Sequence, residues 1–312
     1  MTASLYWLQG GACGGDTHSL LNAESPDLLQ LLHGLDLKVL WHPSFTCCPA
    51  ESQDRIYDDL ASGKSELDVL CLEGSVIRGP GGTGMFDTRS GRPKKDMIRA
   101  LATRARFVIA VGTCASFGGF GSGSVIEATG LQFSKSEFGG FLGQDFKTLE
   151  GLPVINLPGC PAHCDPVTGT ISMLLQGEKP QLNEWNSPLE WYGMLVHQGC
   201  TRNEYHEYRV EERHFGEAGC LFFHLGCHGP LVYGPCNKYL WNSRSSKTRV
   251  GVPCVGCTRP EFPQEHPFFM TPSIEEIPLD LPDGVDRAHY LAYKGMAAAA
   301  APKRLKDRKT KV

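Results

Sequence analysis

The chain has 312 residues, 41% hydrophobic and 21% charged, a composition of globular proteins with room for one large core or two ordinary ones. A formal net charge of −4 excludes a global positive field for nucleic acid, and no apolar run reaches the ~18 residues of a membrane-spanning helix. The 13 cysteines, an odd number in a chain long enough to need no staples, argue against a disulfide framework and for soft-metal chemistry, iron–sulfur or zinc.

The first predicted strand is "SLYWLQ" at 4–9, which runs into a Gly-rich turn holding Cys13, Gly14, Gly15 and Asp16. The opening "MTASLYWLQG" has no basic n-region, apolar h-region or twin arginine, so export by a signal of its own is not expected. A helix is expected over 18–33, a strand at 38–42 "KVLWH", a helix over 51–62 and a strand at 67–73 "LDVLCLE". A helix over 94–105, strands at 107–112 "FVIAVG" and 153–157 "PVINL", and a helix over 166–176 complete the pattern. Strands alternating with helices predict an α/β domain whose parallel sheet is covered on both faces. Ligands of such sheets sit beyond the carboxyl ends of the strands.

Three cysteines fall at those ends. Cys13 follows the first strand, Cys114 the fourth in "VGTCASFGG", and Cys160 the fifth in "NLPGCPAHC". Residues far apart in sequence are thereby expected to converge on one edge of the sheet, where Glu73 also ends the third strand. Where a C-x-x-C motif would place its second thiolate after Cys13, the chain has Asp16.

From about residue 180 the periodicity fades, and Gly, Pro, His and Cys become dense. His197 and Cys200 form an H-x-x-C pair, followed by Cys220 and Cys227. These four ligands are the number a cubane cluster takes. Cys236, Cys254 and Cys257 are three thiolates, the set a [3Fe–4S] cluster needs. A zinc ribbon would require two C-x-x-C knuckles, and only Cys254/Cys257 has that form. A loop-rich segment of this kind has little apolar core, and bound clusters would supply its cross-links. Three regions are therefore expected: 1–178 as the α/β domain, 179–300 as the cluster domain, and 301–312 as a basic, disordered tail.

In order along the chain, "WLQGGAC", "CLEGSV", "VGTCASFGG", "NLPGCPAH", "GCLFFHLGC" and "GVPCVGCTRPEFP" resemble the small, electron-transferring subunit of [NiFe] hydrogenases over nearly the whole length. "GCTRN" and "SSKTR" resemble the leaderless cytoplasmic uptake members of cyanobacteria and actinobacteria. The resemblance implies a flavodoxin-like N-terminal domain, an irregular iron–sulfur domain, and a large-subunit partner carrying the Ni–Fe centre. It maps the family's proximal cluster onto Cys13, Cys114 and Cys160, with Asp16 in the fourth position, ordinarily a cysteine. It maps the medial [3Fe–4S] cluster onto Cys236, Cys254 and Cys257. The distal cluster, a [4Fe–4S] centre, maps onto His197, Cys200, Cys220 and Cys227. The spacing from Cys220 to Cys227 leaves His224 and His228 as competing ligands.

For Asp16 three readings stay open: ligand to the fourth iron of a [4Fe–4S] cluster, bystander to a three-thiolate [3Fe–4S] cluster, or N-cap of a helix starting near Thr17. The resemblance places Glu73 beside the proximal cluster and the large subunit, as a structural carboxylate or a step in proton passage. Cys47, Cys48, Cys71 and Cys164 have no ligand slot, and a buried Cys71 is expected to act as a small hydrophobe. The implied function is electron relay in hydrogen oxidation, with no catalytic site in this chain. The acceptor would be a protein or a quinone, and the heterodimer is expected to form a higher oligomer in the cytoplasm. Any attachment at the membrane would come through another subunit or the basic tail. A hydrogen sensor built on the same two-subunit core and a zinc-dependent binding module are the alternatives.

Overall fold

The computed structural model describes residues 2–264 and 267–307. They form two units. The first runs up to Trp191 and includes Thr258–Pro263; the second comprises Tyr192–Cys257 and the described residues from Gln264 onward.

The first unit is built on five strands: β1 (Ala3–Gln9), β2 (Leu37–Trp41), β3 (Leu67–Glu73), β4 (Ala105–Val111) and β5 (Ile155–Leu157). All pair in parallel, in the order β5-β4-β3-β1-β2. This is the flavodoxin-like winding, whose switch point lies between β1 and β3. The strands read as continuous apolar runs because helices bury both faces. Register sets the carboxyl edge: Gln9 pairs with Glu73, Glu73 with Val111, and Val111 with Leu157. Everything expected at the strand ends leaves from this one row.

The single helix expected over 18–33 is two helices, α1 (Gly15–Leu21) and α2 (Leu28–Gly34). Pro26 interrupts them, having no backbone N–H to donate. Asp27 restarts the helix through a capping box: its carboxylate accepts from Gln30 N at 2.8 Å, and Asp27 N donates to Gln30 Oε1 at 3.1 Å. Helices α3 (Ala50–Ala61) and α4 (Lys94–Ala102) lie near their expected places. Directly after β4 comes α5 (Gly112–Phe117), six residues long and too short for a helical period to show in the sequence. α6 (Cys164–Leu175) follows β5. Residues 181–191 belong to this unit too: Asn156 donates from its backbone to Asn186 O and from Nδ2 to Trp185 O, at 2.9 and 2.8 Å.

His42, fully buried after β2, stacks on Phe45 with ring centroids 3.7 Å apart, and its Nδ1 accepts from Ser44 N at 3.0 Å. Burial pushes its pKa from 6.5 down to about 4, against the pull of the Glu73 charge. Between those values the unfolded imidazole binds a proton that the folded one refuses. Stability is therefore unaffected above pH 6.5 and falls as the pH drops from about 6.5 to 4. In His42→Asn, whose Oδ1 can still accept from Ser44, the thermal midpoint should depend less on pH across that window. An equal pH dependence in both proteins would assign the acid sensitivity elsewhere.

The second unit has little regular structure before its end. Its early elements are 3₁₀ turns at Val196–Gly199 and Gly229–Leu231 and the five-residue α7 (Asn203–Glu207). Its core is a cluster that includes Tyr205, Leu221, Phe222, Phe223 and Tyr290. Tyr290 comes from α8 (Arg287–Ala300), started by Asp286, whose Oδ1 accepts from His289 N at 2.8 Å. The expected disordered tail instead opens with a helical turn, α9 (Lys303–Lys306), that buries Leu305 and pairs Arg304 with Glu204. Its apolar Leu305 is what holds this basic stretch. Residues 308–312 lie outside the described residues.

Candidate metal centres

At the carboxyl edge of the sheet, the turn after β1 carries Cys13 into α1. The helix starts on Gly14, whose φ of 79° suits glycine, with no side-chain cap. The N-cap reading of Asp16 is thus wrong: Asp16 lies inside the first turn of α1. Its Oδ1 instead accepts from Ala162 N at 2.7 Å, in the turn after Cys160. Ser19 of α1 donates its hydroxyl to Ala162 O, tying the same turn down again.

The motif "VGTCASFGG" supplies the other wall, and two of its glycines are required there. A Cβ on Gly112 (φ +84°) would lie 2.2 Å from Asp16 Oδ2, and one on Gly119 (φ +57°) would lie 2.5 Å from Cys114 Sγ. Asp16 and Cys13 both lie close enough to Cys114 to help raise its pKa, although burial is the larger cause. The structure therefore brings together Cys13, Asp16, Cys114 and the turn that follows Cys160. Cys13 is exposed, and Cys114 and Cys160 are half-buried.

Burial raises the Asp16 pKa to about 7, the Glu73 carboxyl adds to the rise, and only the Ala162 N–H opposes it. A carboxyl with that pKa is only partly ionised at neutral pH, and a cation beside it would hold it as the anion, which suits a hard metal ligand. Glu73 is buried beside it and accepts from Trp7 Nε1 at 3.0 Å, from Gln9 Nε2 at 2.9 Å, and from Thr17 N and Oγ1. These bonds fasten β1, β3 and α1 to one another, a structural task for this carboxylate.

In the second unit, a small cavity is lined by His197, Cys200, Cys220 and Cys227, along with Thr248 and Asn237. Backbone amides point at the sulfurs: Arg202 N lies 3.4 Å from Cys200 Sγ, Phe222 N 3.5 Å from Cys220 Sγ, and Cys254 N 3.4 Å from Cys227 Sγ. Donors on thiolate ligands are what a cluster needs to hold its charge in a buried place. Burial raises the Cys220 thiol well above its ordinary value and Cys227 to about 11, so both are protonated until a metal displaces the proton.

The competing histidines stand aside. His224 Nε2 is 2.8 Å from Glu211 Oε2, and the His228 ring contacts Gln264. His206, which sequence reasoning passed over, is buried with Nδ1 3.5 Å from Cys220 Sγ; burial drives its pKa down to about 3. His197, His206 and Glu207 each place a ligand-capable atom within 4.8 Å of the other two. The third set converges as well. Burial is the largest cause raising Cys236 to about 12 and Cys254 well above its usual value, and the neighbouring Cys257 thiol adds to both.

Three of the four remaining cysteines pack into the protein. Cys71 is fully buried in β3, and burial pushes its thiol up. Cys164 begins α6 and donates to Asp165 Oδ1 at 3.5 Å. Cys47 is exposed, and Cys48 packs at the margin of the first unit's core. All 13 cysteines are free of disulfides.

Comparison with known proteins gives these sites a setting. The C-terminal family of the NiFe/NiFeSe hydrogenase small subunit matches residues 192–270. The family described as NADH ubiquinone oxidoreductase, 20 Kd subunit, matches residues 13–174. The chain is 31% identical over 289 residues to the F420 non-reducing hydrogenase II small subunit of Methanosarcina mazei, covering 83% of this chain and 73% of that protein. It is 30% identical over 287 residues to the periplasmic [NiFeSe] hydrogenase small subunit of Desulfomicrobium baculatum, covering 86% and 87%. Among solved structures, a chain of the actinobacterial-type NiFe-hydrogenase from Ralstonia eutropha H16 superposes with a TM-score of 0.79 at 25% identity, covering 99% of this chain and 92% of that one. With a fold, a cysteine arrangement and relatives that agree, the chain belongs to the small-subunit family of [NiFe] hydrogenases, oxidoreductases acting on hydrogen whose active site lies in the large subunit.

Proposed function

We propose that this chain carries electrons, one at a time, from the Ni–Fe site of a large-subunit partner through three iron–sulfur clusters to an external acceptor, in the direction of hydrogen oxidation. The supporting observation is the sorting of ten Cys and His residues, with Asp16, into three separate groups without disulfides. Cys13, Cys114 and Cys160, with Asp16, would hold the proximal cluster. Cys236, Cys254 and Cys257 would hold a medial [3Fe–4S] cluster, and His197, Cys200, Cys220 and Cys227 a distal [4Fe–4S] cluster. The clusters supply reversible one-electron chemistry.

The protein's own part is to exclude water, to hold each thiol in place and to set potentials with amide donors. The half-open proximal edge, with Cys13 exposed, is a surface for the large subunit to cover. The likeness to an actinobacterial-type enzyme favours the cytoplasmic uptake type over an exported one. Among the described residues no helix is long and apolar enough to cross a membrane. In this reading, contact with a membrane quinone comes through another subunit or the basic tail. A soluble acceptor protein would dock on this chain directly, and assembly into an oligomer of heterodimers belongs to the same reading.

Iron and sulfide analysis of the purified complex, with EPR, tests this. About 10 or 11 irons are expected in this subunit, with no zinc. An iron content near about four per chain, with zinc present, would replace the relay by a zinc-dependent module.

A further inference from the structure

The proposed cysteine and histidine ligands are legible in the sequence from their spacing or their places at strand ends, but the group pressed against one of them is not. His206 sits on α7 and has no part in the relay as described. Its Nδ1 lies 3.5 Å from Cys220 Sγ, while Cys220 lines the cavity and His206 is not among the lining residues. The ring is wedged on three sides. It stacks on Phe223 with centroids 5.2 Å apart and planes 18° apart, meets Phe222 at 5.4 Å, and meets the His197 ring edge-on at 4.5 Å.

Both partners of the contact are fixed from the backbone. His206 N donates to Arg202 O at 3.1 Å, and the Arg202 guanidinium is itself clamped onto the carbonyls of Thr248, Glu217 and Gly219. Cys220 N donates to Val210 O at 2.8 Å, and Cys220 O accepts from Glu212 N at 3.0 Å. A ring so wedged is aimed at the sulfur by the fold.

An iron-bound thiolate offers only lone pairs, so an imidazole nitrogen facing it must carry the proton. An N–H donated to a ligand sulfur draws off electron density and favours the reduced cluster. We infer that His206 is a positioning residue of the distal site: its Nδ1–H, donated to the Cys220 thiolate, holds the reduction potential of the distal cluster up. This rests on the reading of His197, Cys200, Cys220 and Cys227 as cluster ligands. The consequence falls on the last step of the relay. A raised distal potential makes that cluster a sink for electrons arriving from hydrogen, and it restricts delivery to acceptors of comparable or higher potential.

The test uses the holoenzyme with its large subunit and two substitutions. His206→Phe keeps an aromatic ring against Phe223 and removes the donor. His206→Asn places an amide N–H near the former Nδ1–H. Redox titration followed by EPR reads the potentials, and iron analysis reads occupancy. With unchanged iron content, His206→Phe should shift the distal one-electron equilibrium about tenfold or more towards the oxidised cluster, a fall of about 59 mV. His206→Asn should restore most of that shift, and the other two clusters should not move in either variant. An unmoved distal potential in His206→Phe overturns the inference, as does an equal fall in His206→Asn. Loss of one cluster's iron from His206→Phe overturns it too, since the ring would then be scaffold alone. Failure of the ligand reading has a different signature: the unsubstituted enzyme would lack a third cluster altogether, or Cys220→Ser would leave every cluster signal unaltered.

Discussion

Replacing Asp16 by cysteine is expected to lower the potential of the proximal cluster by at least about 59 mV, tenfold in a one-electron equilibrium. A thiolate donates more electron density to iron than a carboxylate does, and so disfavours the reduced cluster. If Asp16 ligates the fourth iron, Asp16→Cys keeps a four-iron cluster and only its potential moves. If the native cluster has three irons, the oxidised enzyme shows an additional EPR signal coupled to its neighbours, and Asp16→Cys abolishes it by completing a four-iron cluster. In both cases the first acceptor loses pull on electrons from hydrogen, so hydrogen production rises relative to oxidation.

Asp16→Asn separates charge from scaffolding. Its amide oxygen can still accept from Ala162 N, a bond worth about 1 kcal/mol, but the anion is gone. A ligand role predicts altered cluster spectra in Asp16→Asn; a purely structural role predicts none. Unchanged spectra and unchanged catalytic bias in both variants would reduce Asp16 to a clasp between α1 and the turn after Cys160.

Cys254→Ala is expected to open the second unit while leaving the first intact. Between Tyr192 and Cys257 regular structure amounts to short helical turns, so no long helix or sheet ladder resists opening. Cys254 also joins two of the proposed sites: its N donates to Cys227 Sγ at 3.4 Å, and its O accepts from His228 N at 2.7 Å. Clusters bind only the folded arrangement of thiolates, so their binding energy is folding energy. The variant should lose about three irons, and limited proteolysis within 192–257 should accelerate by roughly tenfold or more, the parallel-sheet unit resisting as before. Electron delivery to an external acceptor should stop. Isotope exchange between hydrogen and water, which needs no net electron transfer, should persist at the large subunit. Full acceptor reduction by Cys254→Ala would remove the medial cluster from the relay.

Two kinds of information meet in this molecule. The sequence by itself determined the parallel sheet, because strands buried on both faces must be continuous apolar runs and the intervening helices must be amphipathic. It also determined that Cys13, Cys114 and Cys160 leave from one edge, since parallel strands in register carry their carboxyl ends to one side. The H-x-x-C pair at His197 and the C-x-x-C pair at Cys254 were legible for a similar reason, as candidate ligands on one turn of chain. What only the tertiary structure decided depends on contacts between distant segments. The partner of Asp16 is Ala162 N, 146 residues away, so a residue that reads locally as a helix cap turned outward from its own helix start. Gly112 and Gly119 are required by side chains they meet in space. His206 has no motif, and only the packing of Phe222 and Phe223 brings its ring to Cys220. Residues 303–306 read as solvated charge until Leu305 finds a core to enter. Local periodicity records which face of an element is apolar, and it carries no record of which distant polar atom that element will meet.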